Sequence, residues 1–265
     1  MTNLEPLDES SDLKLRTYDA EAEWWYQRSL LIVLYWLTGS VMFASLVIDP
    51  ILVRGVLRAL LAMGLMTFSI PAIKYTTQRY DQQVTGRILE ERIVDVIQST
   101  FPEAKVDHRV QIGETNDLDI FVRFPRTKAM FAFSVKGWKG GKVVYNEKTG
   151  FICHRRPGKG SSKKDDPDPL SEILDGEWWL RRNNRGIFGG SSRDAKRPVR
   201  KALVFPDPIT IGEHNPHLYA TISDQKFVYV ERGKSSIFLL QENQVIQFIR
   251  ANLLADEQAS TKKPH

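Results

Sequence analysis

The sequence predicts an α/β domain, a mixed sheet flanked by helices, preceded by a transmembrane helical hairpin. Three observations predict this. A helix-period stretch over 78–100 is followed by three strand-like runs, a second helical stretch and a further strand-like run, an order that builds a sheet with helices packed on it. Residues 117–136 read as two alternating segments around Pro125-Arg126-Thr127-Lys128, a hairpin with its turn. Residues 29–48 are twenty positions without a charge.

Taken in order, the first 28 residues carry Glu5, Asp8, Glu9, Asp12, Asp19, Glu21 and Glu23 against Lys14, Arg16 and Arg28. This acidic N-terminal segment is the reverse of a signal peptide's positive start. At about 1.5 Å per residue the 29–48 run would span a hydrocarbon core of about 30 Å. Asp49-Pro50 breaks it, and 51–73 reads as a second span, with Arg54 and Arg58 able to snorkel near its start. Trp24, Trp25, Tyr26, Tyr75 and Tyr80 fit interfacial belts, and Lys74, Arg79, Arg87 and Arg92 favour both termini on the cytoplasmic side. The expectation is therefore a multi-pass membrane protein with two spans, a domain over 74–254 and a flexible tail over 255–265.

In the 78–100 helix, Val84, Ile88, Leu89, Ile93, Val96 and Ile97 stand at helical spacing, and Pro102 closes it. A first strand follows over 106–112. In the hairpin, Leu118, Ile120, Val122 and Phe124 alternate with polar residues, as do Ala129, Phe131, Phe133 and Val135. Residues 142–145 and 150–154 read as a small strand pair, 170–182 as a helix, 201–205 and 227–230 as strands, and 237–254 as a final helix.

With Arg126 and Thr127 at the tip, antiparallel pairing opposes Asp119 to Ser134 and Asp117 to Lys136, all four on one polar face. A carboxylate pair there could hold Mg²⁺, which takes few protein ligands and completes its shell with water and phosphate oxygens. A lysine beside the metal could orient a water and stabilise charge on a phosphate. The same run also reads as an ordinary amphipathic hairpin with a wet face.

Composition excludes several classes. The single Cys153 rules out an intrachain disulfide framework and a Cys-rich zinc site. The five His do not cluster; His214 and His217 lie three apart in a loop-like stretch. Pro157-Gly158-Lys159-Gly160 lacks the Lys-Ser/Thr spacing of a P-loop. The chain carries +5 overall, yet between Arg123 and Lys201 Lys and Arg outnumber Asp and Glu by 20 to 8. Lys139, Lys142, Arg155, Arg156, Lys159, Lys163, Lys164, Arg181 and Arg182 are candidate phosphate contacts, with Trp138, Trp178 and Trp179 available for base stacking.

Three stretches, GRILEERIVDVI (86–97), DLDIFV (117–122) and FSVKGWKG (133–140), with VRKALVFPD (199–207) after the next helix, resemble the nuclease-related domain (NERD). This is a branch of the PD-(D/E)XK restriction-endonuclease-like superfamily. The resemblance covers about residues 84–207. It implies a restriction-endonuclease-like core and a Mg²⁺- or Mn²⁺-dependent nuclease acting on DNA ahead of RNA. Residue by residue, Asp119 matches the family's metal-binding Asp, Lys136 its catalytic Lys and Glu91 its helix Glu. Ser134 departs from the Glu of Glu-x-Lys, so Glu91, Glu90 or Asp117 would have to supply the missing carboxylate. Enzymes of this kind that cut both strands often pair two sites, hence a homodimer is an expectation. Two other readings stay open: a nucleic-acid-binding pseudonuclease, and a membrane-associated scaffold.

Overall fold

The computed structural model describes residues 28–40, 74, 77, 80–112, 116–155, 163–164, 168–189, 191 and 193–261, with backbone alone at 116, 117, 163, 164, 195 and 260. The chain divides into two units, Met1–Val84 and Thr85–His265.

In the first unit, residues 28–40 form helix α1. Its Thr38 and Ser40 hydroxyls donate back to the carbonyls of Leu34 and Trp36, the local bond these residues use in place of solvent. The expected membrane hairpin is corrected here. Among the described residues no helix is long and apolar enough to cross a membrane. This finding opposes the two-span topology with cytoplasmic ends. The rest of the 29–48 run and the whole 51–73 run lie outside the described residues, as does the acidic 1–27 stretch.

The second unit begins within helix α2, residues 80–100. Its buried stripe is Gly86, Leu89, Glu90, Ile93 and Ile97, an i, i+3, i+4, i+7 pattern. Ile88 and Val96, expected on the apolar face, are about half exposed at 51% and 47%. The helix is thus rotated relative to the expected face, and a glutamate lies inside it.

Strands β1 (Lys105–Ile112), β2 (Asn116–Arg123) and β3 (Met130–Val135) form an antiparallel meander. The β2–β3 register pairs Ile120 with Phe133 and Arg123 with Met130, as the expected tip requires. Two bonds close the turn, Phe124 N–H to Ala129 O and Lys128 N–H to Phe124 O. The face expected to be wet is covered: Phe121, Met130 and Ala132 are buried with helix α3 (Pro169–Asn183) in one core. Ile120, Val122, Phe131, Phe133 and Val135 are buried with α2 and helix α4 (Val245–Thr261) in the other. Burial on both faces follows from the layering of helix, sheet and helix.

Strands β4 (Lys142–Asn146) and β5 (Phe151–Arg155) pair antiparallel, with short β6 (Lys163–Lys164) at the edge. After α3 come β7 (Arg200–Phe205), β8 (Thr210–Ile211), β9 (Tyr219–Ile222), β10 (Gln225–Arg232) and β11 (Ser235–Gln241). The main sheet runs β1-β2-β3-β7-β11-β10-β9, with β7 parallel to both β3 and β11. A second sheet runs β6-β5-β4-β8.

The expected final helix over 237–254 is corrected. Residues 235–241 are a strand inserted between β7 and β10, and α4 starts at Val245. Ile237, Leu239 and Leu240 are buried, and a short apolar run buried on both faces does not distinguish strand from helix by period. The helix continues to Thr261, through most of the expected tail.

Candidate active site

Asp119 on β2 stands beside a break in the sheet. The β1–β2 ladder runs from Lys105–Arg123 to His108–Ile120 and resumes at Val110–Leu118, and between these pairs stand Arg109 and Asp119. Arg109 has a φ of 51°, an uncommon value for a residue with a Cβ. On the other side β3 ends at Val135, whose N–H donates to Asp119 Oδ2 at 2.5 Å. The chain then leaves through Lys136, whose own N–H donates to Val204 O on β7.

Helix α2 supplies the facing wall. A Cβ built on Gly86 would lie 3.6 Å from the Gly137 nitrogen, so the helix approaches the end of β3 to contact distance. One turn on, Glu90 is 3% exposed. Its Oε2 takes bonds from Arg109 Nε at 3.0 Å and His108 Nε2 at 3.1 Å. The third wall is α3. Asp168 caps it by accepting the Leu170 N–H and pairs with Arg232. Glu172 in its first turn bonds Lys136 Nζ.

The electrostatics centre on Asp119. Burial raises its carboxyl first, and the Glu90 charge raises it further; Lys136, the Val135 N–H and the Ser134 hydroxyl oppose them. The result is a pKa of about 7. Burial disfavours the carboxylate because little water solvates it, and Glu90 disfavours it as a second negative charge nearby.

The expected site residues are thus sorted. Asp119, Ser134 and Lys136 come together with Glu90. Glu91 does not join them: its side chain is 52% exposed and pairs with Arg87 one turn away. That expectation is corrected by the phase of α2, which turns Glu90 inward and Glu91 outward. Asp117 has a described backbone in β2, and its side chain lies outside the described residues. Arg109, His108 and Glu172 are additions to the expected set. The Leu89, Ile93, Ile97 spacing could have identified Glu90 as the inward glutamate; nothing local marks Glu172, which reaches Lys136 only through α3 packing.

Among the expected phosphate contacts, Lys139, Lys142 and Arg155 are exposed on the second sheet and its approach, with Lys142 and Arg155 paired across β4–β5. Gly141 (φ 102°) makes that approach, because an added Cβ would overlap the Arg155 carbonyl oxygen. Lys163 and Lys164 form β6, while Arg156 and Lys159 lie outside the described residues. Arg181 is corrected: its guanidinium bonds Glu177 and the Arg197 carbonyl and lies over the Phe188 ring, so it holds α3 to the chain before β7. Arg182 is exposed and sits over Trp178. Trp138 is also corrected. It is buried, stacked on His154 at 4.9 Å and packed beside Phe205. Trp179 is partly buried against the core, and Trp178 is 60% exposed.

The donor set suits a cation that takes two carboxylates, Asp119 and Glu90; a divalent ion would offset both the burial of the Asp119 charge and its repulsion by Glu90. It does not form a cage: among the described residues no group of three His, Cys, Asp or Glu is arranged to hold a metal. In comparisons with known proteins, no family model, curated protein or solved structure matches this chain.

Proposed function

We propose that the second unit is a nuclease-like domain that hydrolyses phosphodiester bonds in nucleic acid, DNA ahead of RNA, with Mg²⁺ or Mn²⁺. The observation that carries this reading is the placing of Asp119 near Glu90 and Lys136 in a buried space, where burial first and the Glu90 charge second lift Asp119 to about 7 against the pull of Lys136. Two carboxylates forced together in a buried place are stabilised by a divalent cation, and a lysine next to them suits an anionic substrate. The main-sheet strands β1-β2-β3 after α2, then α3 and a β7 parallel to β3, with β4–β6 of the second sheet set between β3 and α3, support a restriction-endonuclease-like core of the kind the nuclease-related domain resemblance implies.

In this reading Asp119 and Glu90 hold the cation. A cation held there would supply Lewis acidity and lower the pKa of a water it carried. Arg109 and His108 fix the Glu90 carboxylate, and Val135 N–H and the Ser134 hydroxyl orient that of Asp119. Lys136 donates to the phosphate or the attacking water, with Glu172 positioning its ammonium. Exposed Lys139, Lys142 and Arg155 would contact the backbone of the substrate.

A second reading, binding without cleavage, is favoured by two features. Ser134 brings no charge, and Glu90 already has two nitrogen partners. Incubating the purified chain with supercoiled plasmid in Mg²⁺, Mn²⁺ or EDTA tests the choice. Metal-dependent nicking lost in Asp119→Ala, Glu90→Gln and Lys136→Ala supports the enzyme. Absence of nicking by the parent with nicking gained in Ser134→Glu selects the binding protein, and absence of both nicking and binding rejects the two.

A further inference from the structure

At the other end of β3 lies a second polar cavity. Thr127, Lys128 and Ala129 from the β2–β3 turn, Arg197, Pro198 and Arg200 leading into β7, and Asp256 and Ala259 from α4 line a space of about 280 Å³. Ala129 and Val135 are six residues apart on an extended chain, about 20 Å at 3.3 Å each. The cavity therefore shares no residue with the site around Asp119.

Three cations face one carboxylate there. Arg200 pairs with Asp256 at 2.5 Å and also sits over the Phe131 ring, which fixes its guanidinium. Arg197 pairs with Asp194 at 3.0 Å. Lys128 makes no ion pair among the described residues, yet its backbone holds φ 60°. Hairpin turns usually place glycine or asparagine at such a position, since a Cβ is strained there. The Ser191 hydroxyl, then Arg197 and Lys128, hold the Asp194 carboxyl below its ordinary range.

We propose that this cavity binds a phosphomonoester. With Arg200 paired to Asp256 and Arg197 to Asp194, one net positive charge, that of Lys128, is left over for a phosphate, and a monoester with about −1.5 to −2 at neutral pH gains from it as well as from the two guanidinium forks. Arginine forks and a lysine point charge are the groups that recognise phosphate oxygens. The volume suits a phosphate with little attached to it. The phosphate can come from the 5′ end of a nucleic-acid strand or from a free mononucleotide or inorganic phosphate. Only the strand-end source rests on the nucleic-acid reading above.

The test uses the full chain in EDTA at low salt, so that no divalent cation contributes. Calorimetric titration would compare inorganic phosphate, adenosine 5′-monophosphate, and one short oligonucleotide with and without a 5′-phosphate. The parent is expected to bind inorganic phosphate saturably, and Lys128→Gly and Arg197→Gln to weaken it by about tenfold each. Lys128→Gly relieves the backbone strain, so its Tm should equal or exceed the parent's, and lost binding then reports the missing ammonium rather than misfolding. A gain of about tenfold from the 5′-phosphate on the oligonucleotide assigns the strand end; no such gain, with the small phosphates bound, assigns the free ligand. No saturable binding of any phosphate by the parent, or binding unchanged in both variants, overturns the proposal. Either failure would leave the cation site around Asp119 untouched.

Discussion

Glu90 on α2 and Asp119 on β2 repel each other inside the protein, and burial, with that repulsion added, lifts the Asp119 carboxyl to about 7. Two carboxylates brought together by elements 29 positions apart in sequence oppose folding unless protons or cations intervene. The response of the fold to pH and to cations follows from that tension.

The Asp119 shift makes stability depend on pH with a definite sign. The folded pKa lies above the ordinary value of 3.8, so the folded chain keeps a proton that the unfolded chain loses. Its contribution is complete below about pH 4 and is lost as pH rises through about 7. Asp119→Asn should flatten this part of the profile and be more stable than the parent at pH 8 by a few kcal/mol. Urea unfolding from pH 4 to 8 measures it; equal slopes in both proteins would refute the shift.

A divalent cation should have the opposite effect on the parent. By binding only the folded chain, Mg²⁺ in excess should raise Tm at pH 8, where Asp119 is mostly ionised, and have less effect at pH 5. The rise should vanish in Asp119→Asn. A Tm that ignores Mg²⁺ at both pH values would exclude the two-carboxylate site.

The two neighbouring glutamates should behave differently. Glu91 is exposed and paired only along its helix, so Glu91→Ala should change stability by less than about 0.5 kcal/mol. Removing Glu90 breaks a buried carboxylate's bonds to both Arg109 and His108, and Glu90→Ala should cost about 3–5 kcal/mol. Nicking activity should follow the same division. Chemical denaturation and plasmid cleavage of both variants check this, and equal losses would mean that the helix phase is misread.

Glu172 withholds part of the Lys136 charge. Glu172→Gln should therefore tighten nucleic-acid binding in EDTA and steepen the slope of log K against log salt by about 0.7–0.9, one more phosphate contact. Lys142→Gln and Arg155→Gln should each lower the slope by a similar amount. A slope unaltered in all three would place the nucleic-acid groove elsewhere.

The tryptophans separate core from surface. Trp138 is buried against His154 and Phe205, so Trp138→Ala should lose about 3–5 kcal/mol. Trp178→Ala, on an exposed face with Arg182, should change stability by less than about 0.5 kcal/mol. Thermal melts of the two variants test this contrast.

Local periodicity is enough for most of the elements. Alternation alone sets the β2–β3 register from Arg123–Met130 to Ile120–Phe133, because a strand's side chains repeat every two residues and the turn residues are distinctive. The β4–β5 pair, α3 and β7 are legible within one or two residues for the same reason. Residues 235–241 are not: their apolar run fits a buried strand and a buried helix equally, and only pairing with β7 and β10 decides between them.

Sequence alone thus determined the α/β class, the hairpin and the chemical types at the site, since these depend on local period and composition. Only the tertiary structure decided that Glu90 faces Asp119 in place of Glu91, that Arg109 and His108 hold it, that Glu172 meets Lys136, and that Trp138 and Arg181 belong to packing. Those outcomes depend on the rotation of α2 and the docking of α3 across the sheet. A rotation of one residue, about 100°, leaves the composition of the helix unchanged and exchanges the carboxylate that is buried.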